Sequence, residues 1–559
     1  MRSAECGRLL PCDMRLGELV HGLDVQLAGE AGLSANLPGD VALTRICDIT
    51  EDSRTVLPGS LFIARSGLKS DGKQFAQAAV HAGAAAILTD DRSLIVAGVP
   101  VLFAKDIHLA SSLAAERFYG DASRHMQLIG VTGTNGKTTT TFLCWQLLNR
   151  IGTRCGLIGT VIVDDGVEVA AANMTTPPAI EISRSLARMR ECACDAAALE
   201  VSSHALDQKR ADALRFRAAV FSNLTGDHLD YHGTMEQYAG AKARLFTLLR
   251  EDGLAVINAM DPWSERMVRD CKARVLRVGV VESGKHPQRS LDATCEVTSH
   301  DMTGMGLRLN GPWGEITAKT SLVGLYNAFN ILAAVCCTHA LGVAHETIAV
   351  GIPQLTAPPG RLERVSAVDA PISVFVDYAH SDDSLRNVLS AVGSVMPNRI
   401  RPSTTLGQAA GTTARRREGA RLCCVFGCGG DRDKTKRPRM GLAASELADA
   451  IVVTSDNPRT ERPSDIVDQI LAGIPLHKRE QMIVQVDRAR AIHAAIEQAR
   501  EGDVIIIAGK GHETEQILPD GKGGTIRTHF DDREVAREAL AAHGIPILAT
   551  DSTPAKRKK

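Results

Sequence analysis

The sequence predicts an α/β protein of several domains, each built on a parallel sheet covered by helices. Three observations predict it. The chain has 559 residues, room for roughly three or four domains at about 150 residues each. Short apolar runs alternate with Ala-rich helical stretches in three successive blocks, the pattern of strands joined by helical crossovers. One apolar run, Met126 to Ile129, opens into a glycine-rich turn that leads directly into the apolar-periodic stretch Phe142 to Leu148.

The first block runs from about 16 to 118. Leu61 to Ala64 reads as a strand, Phe75 to Gly83 as a helix and Ala85 to Leu88 as the next strand. The second block, 126 to about 355, repeats the alternation. The third, about 356 to 548, restarts it with Ile372–Val376, Cys423–Phe426, Ala450–Thr454 and Val504–Ala508. Ala357-Pro-Pro-Gly360 reads as a hinge between the second and third. Residues 396–420 are rich in Gly, Thr and Arg, lack periodicity, and read as a partly disordered surface loop. The basic end, Lys556 to Lys559, reads as a solvated terminus.

Composition excludes several classes. With 64 basic and 65 acidic side chains the net charge is -1, which gives no electrostatic case for nucleic acid or an anionic membrane. No run of 18 apolar residues suggests a spanning helix, and the N-terminus lacks a secretory signal. The 14 cysteines show no repeated spacing and read as buried free thiols in a reducing compartment.

The strongest local signal is Gly130-Val-Thr-Gly-Thr-Asn-Gly-Lys-Thr-Thr-Thr140. A glycine-rich turn between strand and helix aims backbone N–H groups and the helix N-terminus at a phosphate. Lys137 then reaches the terminal phosphates and the Thr138 hydroxyl suits Mg2+. The strict G-x-x-x-x-G-K-[ST] spacing asks for Gly at 131, where Val131 stands; the working glycines are Gly133 and Gly136. The reading is an ATP-binding enzyme.

Mg2+ takes hard oxygen ligands. Glu200 ends the apolar run Ala196–Leu199, which places a carboxylate on the ligand edge of a parallel sheet. The run Ala218–Phe221 opens into Asn223-Leu-Thr-Gly-Asp-His228-Leu-Asp-Tyr-His232. Each histidine there suits a packing role or a functional one. Lys242, within the helical stretch Met235–Leu249, reads on residue chemistry alone as part of a solvated face.

These motifs, in order, resemble the Mur ligase family of peptidoglycan synthesis. The likeness rests on T-G-T-N-G-K-T, E-V-S-S-H-A-L, N-L-T-x-D-H-L-D-Y-H-G and A-x-K. It continues through L-x-G-x-Y-N-x-x-N, P-G-R-x-E, D-Y-A-H, F-G-C-G-G-D-R-D-K-x-K-R-P, D-N-P-R and G-K-G-H-E-T, over about residues 45 to 545. The resemblance implies a three-domain architecture. An N-terminal UDP-binding domain would span 1–118, a central P-loop-type ATPase domain 119–355, and a C-terminal Rossmann-like amino-acid domain 356–559.

It also implies a reaction. ATP phosphorylates the free carboxylate of UDP-N-acetylmuramoyl-L-alanyl-D-glutamate, and an amine attacks the acyl phosphate. Gly133, Thr134, Asn135, Gly136, Lys137, Thr138 and Thr139 would hold the phosphates, with Thr138 and Glu200 on one Mg2+. His228 and Lys242 would serve a second, Lys242 as a carbamylated (N-carboxylated) side chain. Asn327 and Asn330, which also suit helix caps, would lie near the nucleotide. Arg361 and Asp377 would close over ATP. Ser53 and Arg54 match the uridine-binding signature; Asp71-Gly72 and Phe75 match its second part but also suit a turn and a core helix. Thr175, Thr176, Ser202, Gln208 and Arg210 would hold the nucleotide-sugar and its acidic peptide.

The incoming amino acid is read from charge. Meso-2,6-diaminopimelate carries a second carboxylate and a second ammonium, so a site that prefers it to lysine needs a cation and an anion. Arg459 in Asp456-Asn457-Pro458-Arg459 and Arg432 supply cations; Glu513, near Gly509, supplies an anion. D-N-P-R is the motif of the diaminopimelate-adding branch. The expected protein is a cytoplasmic bacterial monomer without stable membrane insertion. Alternatives are a lysine-adding or D-alanyl-D-alanine-adding ligase of the same family, a folylpolyglutamate synthase-like ligase, and a catalytically dead nucleotide switch. The chain departs from the family at Tyr378-Ala-His-Ser-Asp-Asp383, where a proline that stiffens the turn is missing.

Overall fold

The protein is described by a computed structural model covering residues 14–28, 37–67, 71–282, 290–396, 399, 419–480 and 482–548. The basic end and nearly all of the 396–420 segment lie outside these residues. The chain divides into two compact units. One comprises Met1–Gly279, Pro287–Ala293 and Leu332–Ile348; the other comprises Val280–His286, Thr294–Ile331 and Ala349–Lys559.

The first unit holds two main sheets, beside a two-stranded pairing of Met14–Arg15 with Arg45–Ile46. The smaller has the order Val25–Leu27, Val101–Ala104, Ala86–Thr89, Ser60–Ala64, Asp48–Thr50, parallel except at Val25–Leu27. In the larger, Cys155–Ile158, Ala196–Glu200, Gln127–Thr132, Phe216–Phe221, Leu249–Asn258 and Arg274–Val281 run parallel in that order. Its central strands read as unbroken apolar runs because helices cover both faces. An antiparallel hairpin, Ile162–Asp164 with Val169–Ala171, extends the edge beyond Cys155–Ile158.

One continuous apolar core joins the two sheets. Helix Ile107–Phe118 contributes Ala110, Ala114 and Phe118, and helix Ala179–Glu191 contributes Ile182, Leu186 and Met189. The contact also carries polar pins. Glu116, almost wholly buried, accepts from the Ser123 N–H at 2.7 Å and the Ser183 hydroxyl at 2.9 Å. Burial pushes its carboxyl up, opposed by these bonds. Lys209 pairs with Asp106, and the Ser112 hydroxyl meets the Arg210 carbonyl. These contacts tie helix Ile107–Phe118 to the 183–210 region.

The second unit contains a sheet ordered Glu363–Arg364, Ser373–Asp377, Val504–Ala508, Leu422–Phe426, Ala450–Val453, Ile483–Val484; its four inner neighbour pairs from Ser373–Asp377 to Ile483–Val484 are parallel. Cys423 and Cys424 lie in the buried strand and Cys428 just beyond it, their thiols pushed up by burial. The same unit holds an element that βα alternation does not predict. Ala293–Asp301, Gly304–Gly311 and Gly314–Thr320 form an antiparallel ribbon with tight turns and no crossover helices.

Candidate active site

In the first unit, the turn after strand Gln127–Thr132 is built around two left-sided glycines. Gly136 has φ +84° and stands at the N-cap of helix Lys137–Arg150, a position open to glycine without strain. Gly133 has φ +149°, and a Cβ there would stand 2.0 Å from the Ser222 hydroxyl oxygen. The loop Ser222–Thr225 is the reason for that closeness. Thr134 N–H donates to the Asn223 carbonyl at 2.8 Å, Asn135 N–H to the Asn223 side-chain oxygen at 2.9 Å, and the Asn223 amide back to the Asn135 carbonyl at 3.1 Å. Gly133→Ala should therefore spread this strap at a cost of order 1–3 kcal/mol in local strain. The expected result is at least tenfold weaker ATP binding by calorimetry with an unchanged circular dichroism spectrum.

Lys137 opens the helix, its Nζ donating to the carbonyls of Gly133 at 3.0 Å and Thr134 at 2.8 Å, so the side chain folds over the turn. Thr139 follows in the first helical turn. Thr138 donates its hydroxyl to Glu200 Oε2 at 3.0 Å. Glu200 is further held by Thr160, through its N–H to Oε1 at 2.7 Å and its hydroxyl to Oε2 at 2.9 Å. Thr160 was not singled out from the sequence. Its signal was a hydroxyl just past the end of Cys155–Ile158, the strand next to that of Glu200. The Thr138 hydroxyl and Glu200 carboxylate are adjacent hard oxygens, a donor pair that would fit Mg2+.

Lys242 does not lie on a solvated helix face. It is 1 % exposed, its Nζ 2.6 Å from the Gly133 carbonyl and 4.5 Å from the Tyr238 ring centroid. Burial, then the nearby Lys137, holds the amine well below the usual lysine range. An amine that donates to a carbonyl does not ligate a cation, so the residue as it stands does not fit Mg2+; a carboxylated amine would. His228 takes the left-handed conformation at φ +54° and is held by Asp227, which accepts its N–H at 2.9 Å. Its ring meets that of His204 edge-on at 4.9 Å. Burial, then Lys137 and Lys242, lowers the His228 ring against the opposing pull of Asp227. His232 packs into the same group and bonds Ser203 Oγ at 2.9 Å.

The residues expected to hold the acidic substrate also converge. Thr176 Oγ donates to the Glu200 carbonyl at 2.8 Å and accepts from Ser202 N–H at 3.0 Å, while Thr175 Oγ lies 3.2 Å from the Thr160 hydroxyl oxygen. Arg210 donates to the Thr176 carbonyl at 2.7 Å and to the Gln208 side-chain oxygen at 2.7 Å. Burial and then the charge of Arg65 lower its guanidinium, which marks a site that gains from an anion. Arg65, missed in the sequence, is itself paired with Glu51 at 2.6 Å. Ser53 and Arg54 lie in a 3-10 turn capped by Asp52, with Arg54 exposed and paired to that carboxylate at 2.7 Å. Phe75 does not sit in a core helix: it ends a second 3-10 turn, capped by Asp71, and is 38 % exposed.

In the second unit, Asp377 ends its strand and accepts from the Leu362 N–H at 2.7 Å and the Ala379 N–H at 2.8 Å. Burial pushes its carboxyl up and Arg361 opposes this. The Arg361 guanidinium lies 4.5 Å from the Tyr378 ring centroid. Asn327 and Asn330 are buried near the start of helix Tyr326–Ala340. Asn327 donates to the Val323 carbonyl at 2.8 Å and accepts from Asn330 at 2.9 Å. Where the family proline is absent, Ser381 N-caps helix Asp382–Gly393 in a reciprocal box with Ser384, so the turn is closed by hydrogen bonds instead.

The three loops read as amino-acid-selecting interlock. A Cβ at Gly430 would stand 1.9 Å from the Pro458 carbonyl oxygen, so backbone meets backbone there. Arg459, at φ +53°, donates from its guanidinium to the Gly430 carbonyl at 2.7 Å. Arg437, fully buried and unnoticed in the sequence, ties Glu461 with two bonds of 2.9 Å. That pairing holds the Glu461 carboxyl down at about 2. Arg432 is exposed on the rim. Gly509 has φ +119° directly after its strand, and Glu513 Oε2 accepts from Asn457 at 2.8 Å. Among the described residues no helix is long and apolar enough to cross a membrane.

Comparison with known proteins gives a consistent match. Residues 45–119 match the model of the Mur ligase family catalytic domain, 131–338 the Mur ligase middle domain, and 404–511 the Mur ligase glutamate ligase domain. A curated UDP-N-acetylmuramoyl-L-alanyl-D-glutamate--2,6-diaminopimelate ligase of Gloeobacter violaceus is 44% identical over 531 residues, 94% of this chain and 98% of that protein. A solved structure of an enzyme of the same description is 30% identical, with a TM-score of 0.64 over 91% of this chain and 97% of that one. The folylpolyglutamate synthase of Mycobacterium tuberculosis, at 19% identity, shares the fold with a TM-score of 0.54 over 72% of this chain and 93% of that one.

Proposed function

The chain belongs to the Mur ligase family, and from that premise we propose the reaction and the roles of its residues. It is an ATP-dependent, ADP-forming acid–amino-acid ligase of peptidoglycan biosynthesis. It joins meso-2,6-diaminopimelate to the D-glutamate of UDP-N-acetylmuramoyl-L-alanyl-D-glutamate. The observation that carries this reading is the joint presence of the phosphate turn tied to Glu200 and the interlocked Asp456–Arg459 and Glu513 loops. The 44% identity over nearly the whole chain supports the same substrate pair.

In this account a carboxylate oxygen of the D-glutamate takes the γ-phosphoryl group of ATP, and ADP leaves. The amine of diaminopimelate then adds to the acyl carbon, loses a proton, and expels inorganic phosphate as the amide forms. Lys137 and the turn N–H groups hold the phosphates, and Arg210, Gln208, Thr176 and Ser202 hold the acidic acceptor. Thr138, Glu200, His228 and a carboxylated Lys242 would hold Mg2+, which neutralises charge on the transferring phosphoryl group. Arg459 and Arg432 face the distal carboxylate, Asp456 and Glu513 the distal ammonium. The division into domains 1–118, 119–355 and 356–559 belongs to the same proposal, as do the uridine-nucleotide role of Ser53 and Arg54, the nucleotide roles of Asn327, Asn330, Arg361 and Asp377, and a cytoplasmic location. A folylpolyglutamate synthase role leaves the N-terminal sheet and the D-N-P-R loop without use.

The test is phosphate release with ATP, Mg2+ and the UDP-linked dipeptide, supplying meso-diaminopimelate, L-lysine or D-alanyl-D-alanine in turn. A UDP-linked tripeptide formed with diaminopimelate alone is the expected outcome. A lysine product would reassign the amino acid, and no product with any of the three would remove the ligase reading.

A further inference from the structure

Beneath the amino-acid-selecting loops lies a lysine that the reaction above does not use. Lys510 is fully buried within the second unit. Its Nζ has three N–H bonds and no acceptor capacity, and three acceptors meet it: Asn457 Oδ1 at 3.1 Å, Glu513 Oε2 at 3.1 Å and the Glu515 carbonyl at 2.6 Å. Asp456 Oδ1 stands 3.8 Å away. One side chain therefore touches both loops that carry the acidic and amide groups of the site.

The bonds have a direction, and the direction has a consequence. Asn457 Oδ1 accepts from Lys510 and from the Ile517 N–H at 3.0 Å, so the amide has its oxygen pinned toward two donors. Its nitrogen must then face the other way, where it donates to Glu513 Oε2 at 2.8 Å. Glu513 Oε2 thus receives two donors, Asn457 and Lys510, and its orientation is set by them, with Oε1 outside both bonds. The floor under this arrangement is a second buried pair. Arg488 meets Asp532 at 2.6 Å, both side chains without exposure, and donates to the Ala508 carbonyl at 2.9 Å and the Ser455 carbonyl at 3.3 Å. Ala508 ends the strand from which Gly509–Glu513 emerges, and Ser455 lies two residues past strand Ala450–Val453, directly before Asp456–Arg459.

We propose that Lys510 is the positioning residue for amino-acid selection: it holds the Asn457 amide in one orientation and aims the Glu513 carboxylate at the distal ammonium of the incoming substrate. The assignment rests on the diaminopimelate reading above. Without Lys510, Asn457 loses one of the two donors that pin its amide oxygen, and Glu513 loses one of the two donors that orient it. The phosphate turn lies in the other unit and makes no use of Lys510, so ATP-dependent activation of the dipeptide should not depend on it.

The experiment compares wild type with Lys510→Met and Lys510→Gln in two assays. Trapping the acyl phosphate with hydroxylamine, in the absence of any amino acid, reports activation alone. Steady-state ligation with diaminopimelate and with lysine reports selection. The wild-type preference tests the function; departure of the variants from it tests Lys510. The expected result is hydroxamate formation within about twofold of wild type. With it should come a KM for diaminopimelate raised by at least about tenfold and a preference over lysine reduced by a similar factor. Hydroxamate formation falling in step with ligation would reveal a merely structural residue and overturn the proposal. An unchanged KM and preference would overturn it equally. Lys510→Gln keeps a donor and similar length, and is read if Lys510→Met does not fold; failure of both to fold assigns the lysine to the stability of the domain and also overturns the proposal.

Discussion

Replacing Lys242 with Met is expected to lower turnover roughly a thousandfold, the loss typical of a group that stabilises transition-state charge, while the fold is kept. The side chain is buried between the Gly133 carbonyl and the Tyr238 ring, a volume that Met fills without a new void. What Met cannot do is react with CO2. The Lys242 amine is held well below the usual lysine range by burial and by Lys137, so its proton is lost at lower pH than from an exposed lysine and the neutral, nucleophilic form is available. In the proposed carboxylation the neutral amine would add to CO2 and lose one proton, leaving an anionic oxygen ligand on the side chain. Wild-type protein exposed to 13C-bicarbonate should show one enriched carbamate resonance that Lys242→Met lacks, and wild type stripped of CO2 should regain activity on adding bicarbonate. Full activity in Lys242→Met would remove this residue from the site.

Arg459→Lys is expected to raise the KM for diaminopimelate by roughly a hundredfold and to leave use of lysine as a poor acceptor unchanged, since a single ammonium does not replace a guanidinium fork on a carboxylate. Lysine has no second carboxylate for the fork to meet, so the variant should lose preference rather than gain a new activity. The backbone argues for caution in choosing the substitution. Arg459 sits at φ +53° and its guanidinium is bonded to the Gly430 carbonyl, so truncation to Ala would also release the turn. Initial rates over a diaminopimelate series, with ATP and the UDP-linked dipeptide saturating, give the ratio directly. Equal KM values for wild type and Arg459→Lys would contradict the assignment.

The parallel sheets were legible because buried strands announce themselves as short apolar runs: Ala196–Leu199 and Val504–Ala508 are strands in place. The antiparallel ribbon of 293–320 was not, since its strands mix buried with exposed residues and turn at Asp301–Gly304 and Gly311–Gly314 without a helix between them. The phosphate turn was legible for a local reason, because its glycines, Lys137 and Thr138 are consecutive. The partners that give those residues their geometry were not. Asn223 and Ser222 reach the turn from beyond another strand and Thr160 holds Glu200, and a hydroxyl or amide after a strand is too common to be read alone. Lys242 shows the limit most clearly. One lysine on an amphipathic stretch reads as solvated, and only the packing of its helix against the phosphate turn makes it buried. Lys510 and Arg488 were hidden likewise, as cations that meet Asn457 and Asp532, 53 and 44 positions away.

The central claim is that this chain activates a carboxylate with ATP and transfers it to diaminopimelate. It is tested most directly by labelling both carboxylates of the D-glutamate with 18O and following the label during a single reaction with meso-diaminopimelate. An acyl phosphate requires one labelled oxygen to leave with inorganic phosphate while the UDP-linked tripeptide forms. That is the predicted result, with label in phosphate matching tripeptide one to one. Tripeptide formed with unlabelled phosphate would contradict the acyl phosphate route, and labelled phosphate released without tripeptide would contradict the assignment of diaminopimelate as the acceptor.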